Sequence, residues 1–297
     1  MTTRRATTMR VLAAATVLSG STLILPGAAS ALQITVDDVS DVIDPADGVT
    51  TLPEAVATAN GTPGADEIVF DPAVFDPAGG PYTITLGATL QIADDLTITG
   101  PGVDVLDVAA TADPNGTFVI DLVDATLTVT DLSITGSAGP GIAVYGSNSP
   151  VTIERVRITG GAADGLLTVG DVRPGDSDPT PVGDVRVLDS DLDLNAESGL
   201  DADLIGALDI DGSSFGQNGD EGIYAAGAGV VTIDETDLTG NDLEGAYLVV
   251  TSTIDIADVT ASANGSDNLF VAEAGAITIS DSTFLGAVAD DADGIEI

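Results

Sequence analysis

Seven short segments, each opened by glycine or asparagine, recur along this chain at Gly141, Gly165, Gly199, Gly222, Gly245, Asn268 and Gly294, with runs such as GIAV, GLLT, GIYA, NLFV and GIEI. Each opening is followed by the next at i+24, then i+34, then three times in a row at i+23, and last at i+26. A second alternating run follows each opening: VTIER, VRVLD, LDIDG, VTIDE, IDIAD, ITISD. A third, shorter run follows that, as in SITG, RITG, SSFG and TDLTG. A unit of three strands, each a few residues long, has too little apolar surface to fold alone. It gains a core only by stacking on its neighbours. The period predicts an all-β fold, a right-handed parallel β-helix in which residue i lies beneath residue i+23, about 4.8 Å away.

The columns support this register. Val187, Ile210, Ile233 and Ile256 form one inward column, and Val185, Leu208, Val231 and Ile254 form its neighbour. In the opening strand the inward pairs are Leu200/Ala202, Ile223/Ala225, Ala246/Leu248 and Leu269/Val271. Large and small residues trade places, as an interior of fixed width requires. Asn195, Asn218, Asn241 and Asn264 follow one another at the same i+23 spacing. They are expected at a corner, where asparagine tolerates left-handed backbone and stacked amides hydrogen-bond up the ladder. The long interval between Gly165 and Gly199 predicts an inserted surface loop at Asp171–Gly183.

Ahead of the repeats, Arg4, Arg5 and Arg10, the apolar stretch Val11–Leu25 and the small residues Ala29-Ser30-Ala31 have the form of a secretory signal, with cleavage after Ala31. No second apolar span follows, so no membrane span is expected in the mature chain. Three regions are expected: the signal over 1–31, a cap region over 32–83 and β-helix coils over 84–297. The sequence stops at Gly294-Ile295-Glu296-Ile297, the opening strand of another coil. Further coils or a partner are therefore expected to cover that end.

Within the cap region, TLPEAVATAN at 51–60 predicts a short helix with a Thr51/Glu54 capping box, stopped at Gly61. The stretch from Ile34 through Thr50-Thr51-Leu52-Pro53-Glu54-Ala55 and Ala59-Asn60 to Gly102 resembles the CSLREA-domain family of exported β-helix proteins. Thr50 and Pro53 stand where that family has Cys and Arg. The resemblance implies a secreted or cell-surface protein, often anchored beyond its C-terminus, and no particular reaction.

Composition narrows the chemistry. There are 48 acidic residues against seven arginines, no histidine and no cysteine, for a net charge of −41. Lysine is absent as well. That removes His-based triads, Cys nucleophiles, the usual zinc sites, Schiff bases and P-loop nucleotide binding. The charge disfavours nucleic acid as a partner. An Asp-rich, Lys-free surface also suits a protein that stays hydrated in high salt.

Acids stand just before most coil openings, at Asp164, Glu221, Glu244, Asp267 and Asp293. Stacked neighbours would repel by about 0.9 kcal/mol even in water. A solvated ladder or a Ca²⁺ site at Glu221, Glu244 and Asp267 would each relieve this. A second acidic patch stacks Asp211 under Asp234 and Glu235 under Asp258. A carboxylate pair about 5 Å apart matches a retaining glycosidase, which makes Asp211 and Asp234 the candidate catalytic residues. Polysaccharide lyases and polygalacturonases are parallel β-helices, but the Gly-His-Gly and Arg-x-Lys segments of polygalacturonases are missing.

The arginines are expected to pair across coils, Arg155 with Asp189, Arg157 with Asp191 and Arg186 with Asp209. Tyr224, Tyr247 and Phe270 form an outward aromatic column, suited to stacking on one another or on sugar faces. Two functions follow: a secreted or cell-surface β-helix with a structural, adhesive or binding role toward cell-envelope polysaccharide or surface proteins, or a polysaccharide-active lyase or glycoside hydrolase.

Overall fold

The computed structural model describes residues 31–110, 114–121, 124–146, 148–170, 181–289 and 292–297. All but the last residue of the expected signal 1–31, and residues 171–180 of the expected inserted loop, lie outside the described residues. The fold is a parallel β-helix of about eight turns. Its registers are those the repeat predicts: Val185, Leu208, Val231, Ile254 and Ile277 stack in one column, and Val187, Ile210, Ile233, Ile256 and Ile279 in the next. Leu200, Ile223, Ala246, Leu269 and Ile295 stack on another face. The columns are buried until the end of the stack, where Ile277 and Ile279 are partly buried and Ile295 is 39% exposed.

Two corners of each coil turn through left-handed backbone. One holds Asp131, Arg155, Asp189, Gly212, Glu235, Asp258 and Asp281, all with positive φ. The other holds Gly136, Gly160, Leu194, Gln217, Gly240, Ala263 and Gly286. This corrects one expectation. The asparagines of the ladder do not themselves adopt positive φ; the residue before each one does. Their amides do stack as expected. Each is buried and donates to a main-chain carbonyl of the preceding coil, Asn218 Nδ2 to Leu192 O at 3.0 Å and Asn241 Nδ2 to Phe215 O at 2.9 Å.

The stack starts upstream of the legible repeat. Strand Gln33–Val36 pairs in parallel with Asp66–Phe70, which pairs with Leu96–Thr99. Helix Leu52–Gly61 covers this end with Leu52, Ala55, Val56 and Ala59 buried. The capping box forms as predicted, with Thr51 and Glu54 each accepting from the other's main-chain N–H. Glu54 also accepts from Asp44 N–H at 2.6 Å, which ties the preceding loop to the helix. Phe70, Phe75 and Tyr82 pack edge to face beside it. Among the described residues no helix is long and apolar enough to cross a membrane.

Candidate functional site

The strands Leu166–Val169, Leu200–Asp203, Ile223–Asp234, Ala246–Ala257 and Leu269–Glu273 lie side by side in parallel register. Because side chains alternate along a strand, the second residue of each of these strands points outward. That outward column runs Leu167, Asp201, Tyr224, Tyr247, Phe270. Tyr224 and Tyr247 stack at 5.4 Å between ring centroids, and Tyr247 and Phe270 at 4.7 Å, the planes 16° and 17° from parallel. Both faces of Tyr247 are therefore covered by neighbouring rings, so it has no free face for a sugar.

Asp201 is set between Leu167 and Tyr224 in this column, which ends past Phe270 in a second carboxylate, Glu296. Burial pushes its pKa up to about 7, and the negative charges of Asp164, Asp203, Glu221 and Glu197 add to the effect. Asp164 is itself buried, and its pKa is pushed up to about 6, first by burial, with its hydrogen bond from Ser198 N–H opposing the rise. That bond is 3.0 Å, and the Ser198 hydroxyl donates to Glu221 Oε2 at 3.1 Å. Burial also raises Glu221, partly offset by this Ser198 bond. Asp164, Ser198 and Glu221 thus form a linked series beside Asp201. A carboxyl group poised near neutral pH can give or take a proton under ordinary conditions, which suits general acid–base work.

Sequence reasoning picked out Asp164 and Glu221 but missed Asp201. The signal was present: Asp201 stands between Leu167 and the aromatic run Tyr224, Tyr247, Phe270.

The three corner carboxylates Glu221, Glu244 and Asp267 each have a different hydrogen-bond partner. Glu221 accepts from Ser198, Glu244 from the Ser266 hydroxyl at 3.0 Å, and Asp267 from Asp293 N–H at 2.5 Å. Among the described residues, no group of three or more acids is arranged to hold a metal ion. Asp211 and Asp234 stand in register on neighbouring coils, as expected. Glu235 and Asp258 occupy the left-handed corner, a conformation that aspartate, though not glutamate, adopts more readily than most.

Arg155 lines a groove of about 400 Å³ together with Val103, Asp104, Val105, Val156 and Asp189. Arg155 does not pair with Asp189. It forms a two-pronged bond to Asp131 of the preceding coil, 2.7 and 2.9 Å, and also contacts Glu154. Arg155 sits at a corner with Asp131 on one side and Asp189 on the other, and its side chain turns toward the first. Arg186 bonds Asp209 at 3.0 Å and Arg157 lies 3.5 Å from Asp191, as the stacking predicts, but Arg157 makes its shorter bond, 3.0 Å, to Asp104, a partner the stacking does not predict. The Asp131 bond raises the Arg155 pKa above its ordinary value and lowers that of Asp131. A guanidinium held this way is a poor proton acceptor.

No family model matches the chain, and no curated protein matches it. Among solved structures it is similar to the mannuronan C-5 epimerase AlgE6 A-module of Azotobacter vinelandii, at 16% identity and a TM-score of 0.51, over 84% of this chain and 76% of that one. It is also similar to the pectate lyase Pel9A, at 12% identity and a TM-score of 0.52, over 89% and 83%. ORF18 of Geobacillus virus E2 aligns at 11% identity and a TM-score of 0.51, covering 84% and 60%. At these identities the likeness establishes the parallel β-helix and nothing finer.

Proposed function

We infer that this chain is a secreted or cell-surface β-helix that binds or displays rather than catalyses. One observation carries the reading: its outward columns are satisfied coil to coil. Aromatic rings stack on aromatic rings, and each described arginine is paired with an aspartate of a neighbouring coil, Arg155 with Asp131, Arg157 with Asp191 and Arg186 with Asp209. Asp211 and Asp234, the pair proposed for hydrolysis, are successive members of an outward column that continues as Ala257. The likeness of residues 34–102 to exported CSLREA-domain proteins and the signal-like N-terminus point the same way.

The acids around Asp201 set the kind of partner. Carboxylates this close repel an acidic polymer, so the fitting ligand is a neutral or cationic cell-envelope polysaccharide, or a surface protein with a basic face. The test is retention on immobilised polysaccharides of each charge class, scored beside product release. Binding to neutral or cationic polymers without shortened products supports the reading, and no retention on any polymer or basic protein removes it.

A polysaccharide-active enzyme is the second reading, and Asp201 favours it, because a carboxyl group with a pKa of about 7 is what a general acid or base needs. The named activities of the epimerase and the lyase belong to those proteins. Turnover of any polysaccharide, abolished by Asp201→Asn, would replace the first reading by this one.

A further inference from the structure

Asp66 occupies an interior position that other coils give to hydrocarbon. It pairs in register with Leu96, which stacks on Leu127, and the column continues through Val151, Val185 and Leu208. Asp66 is 1% exposed. Its Oδ1 accepts one hydrogen bond, from the main-chain N–H of Leu32 at 2.8 Å. Its Oδ2 is buried with no hydrogen-bond partner. Glu67 follows it on the same strand, and Asp94 and Asp95 immediately precede Leu96 on the paired strand, all of them acids. The described arginines are paired elsewhere. A carboxylate buried without a counter-charge is strongly unfavourable.

Leu32 is the first residue after the Ala29-Ser30-Ala31 cleavage sequence. Its carbonyl is fixed by Glu67 N–H at 2.8 Å and its nitrogen by Asp66, while Ala31 is exposed. In the uncleaved chain the Leu32 nitrogen is an amide with a single hydrogen, and Oδ1 already takes it.

We propose that cleavage between Ala31 and Leu32 is a maturation step that creates the counter-charge for Asp66. Water hydrolyses the Ala31–Leu32 amide on an export-associated peptidase. Ala31 leaves as a carboxylate, and the Leu32 amine takes up the proton to become an ammonium. That group has three hydrogens instead of one, enough to serve both Asp66 oxygens, and it carries the positive charge that the site lacks. The new terminus is thereby locked onto the first coil. This inference rests on the secretion reading above.

The chain offers an unusually clean test. It has no lysine, so after cleavage the Leu32 ammonium is the sole primary amine in the protein. The full chain is expressed with its leader in a secreting bacterium, and the terminus of the exported product is read by mass spectrometry. The product is then treated with the N-hydroxysuccinimide ester of acetic acid, native and in urea. The expected results are a terminus at Leu32, acetylation about tenfold or more slower in the native state, and a melting temperature about 2–4 °C lower once the amine has been acetylated. In Asp66→Asn the native amine should acetylate nearly as fast as in urea.

Absence of export would remove the secretion reading and this inference with it. Export with a terminus other than Leu32 would leave secretion standing and overturn the cleavage assignment. A Leu32 amine as reactive in the native parent as in urea would overturn the pairing, and that result does not depend on whether Asp66→Asn folds.

Discussion

Asn218 Oδ1 accepts two hydrogen bonds from Asn195, one from its main-chain N–H at 3.0 Å and one from Nδ2 at 3.3 Å. Asn241 repeats the arrangement toward Asn218, and Asn264 toward Asn241. The ladder ends at Asn264, whose Nδ2 donates to Asn268 Oδ1 at 2.8 Å. Asn195, Asn218 and Asn241 thus each tie a main-chain carbonyl of the preceding coil to the asparagine of the following one, buried from solvent. Asn218→Ala would remove the acceptor for both Asn195 groups and the donor to Leu192 O, all in a buried corner. Chemical denaturation should show a loss of about 2–4 kcal/mol. A loss below about 0.5 kcal/mol would mean that the ladder does not contribute to stability.

The inward columns make a sharper prediction about polarity. Val231 and Ile233 are buried, and Thr232 between them points outward. Val231→Asp and Ile233→Asp should each cost several kcal/mol and lower the melting temperature by more than about 8 °C, because a charge enters a dry interior. Thr232→Asp should change it little. Similar melting curves for all three variants would contradict the assigned register.

Asp201 and Asp164 predict how stability depends on pH. Their folded pKa values, about 7 and about 6, lie above the ordinary 3.8, so the native state holds protons that the unfolded chain has released. Their contribution therefore falls as pH rises from about 4 through 7. Asp201→Asn should flatten this slope and stabilise the protein at pH 8 by about 1–2 kcal/mol, after allowing for solvent screening of a partly exposed group. An Asp201→Asn slope equal to the parent's would show that Asp201 ionises normally.

The corner acids separate calcium from plain screening. With Glu221, Glu244 and Asp267 held by three different partners, millimolar CaCl₂ and NaCl of matched ionic strength should give equal melting temperatures. A gain specific to calcium, lost in the Glu221→Gln/Glu244→Gln double variant, would place an ion there after all.

Much of the fold was legible because a β-helix turns three-dimensional contact into linear spacing. Wherever successive coils keep the i+23 spacing, the partner of Ile210 is Ile233 by counting alone. The Thr51–Glu54 cap was equally legible, because its geometry is confined to one turn of the chain. Legibility failed where coil length varied. Asp66, Leu96 and Leu127 share a column although the steps between them are longer than i+23 and unequal, so no single period brings Asp66 into line with the leucines.

The sequence by itself determined the parallel stack, its inward columns, the asparagine and aromatic ladders and the capping helix, since each follows from periodicity and side-chain type. Only the tertiary structure decided that Arg155 turns back to Asp131 and that Asp201 is pressed between Leu167 and Tyr224. It alone placed Leu32 N–H against a buried Asp66. These features depend on which way a side chain turns between two neighbouring coils and on how much water reaches it. Both are properties of packed volume, and spacing along the chain does not encode them.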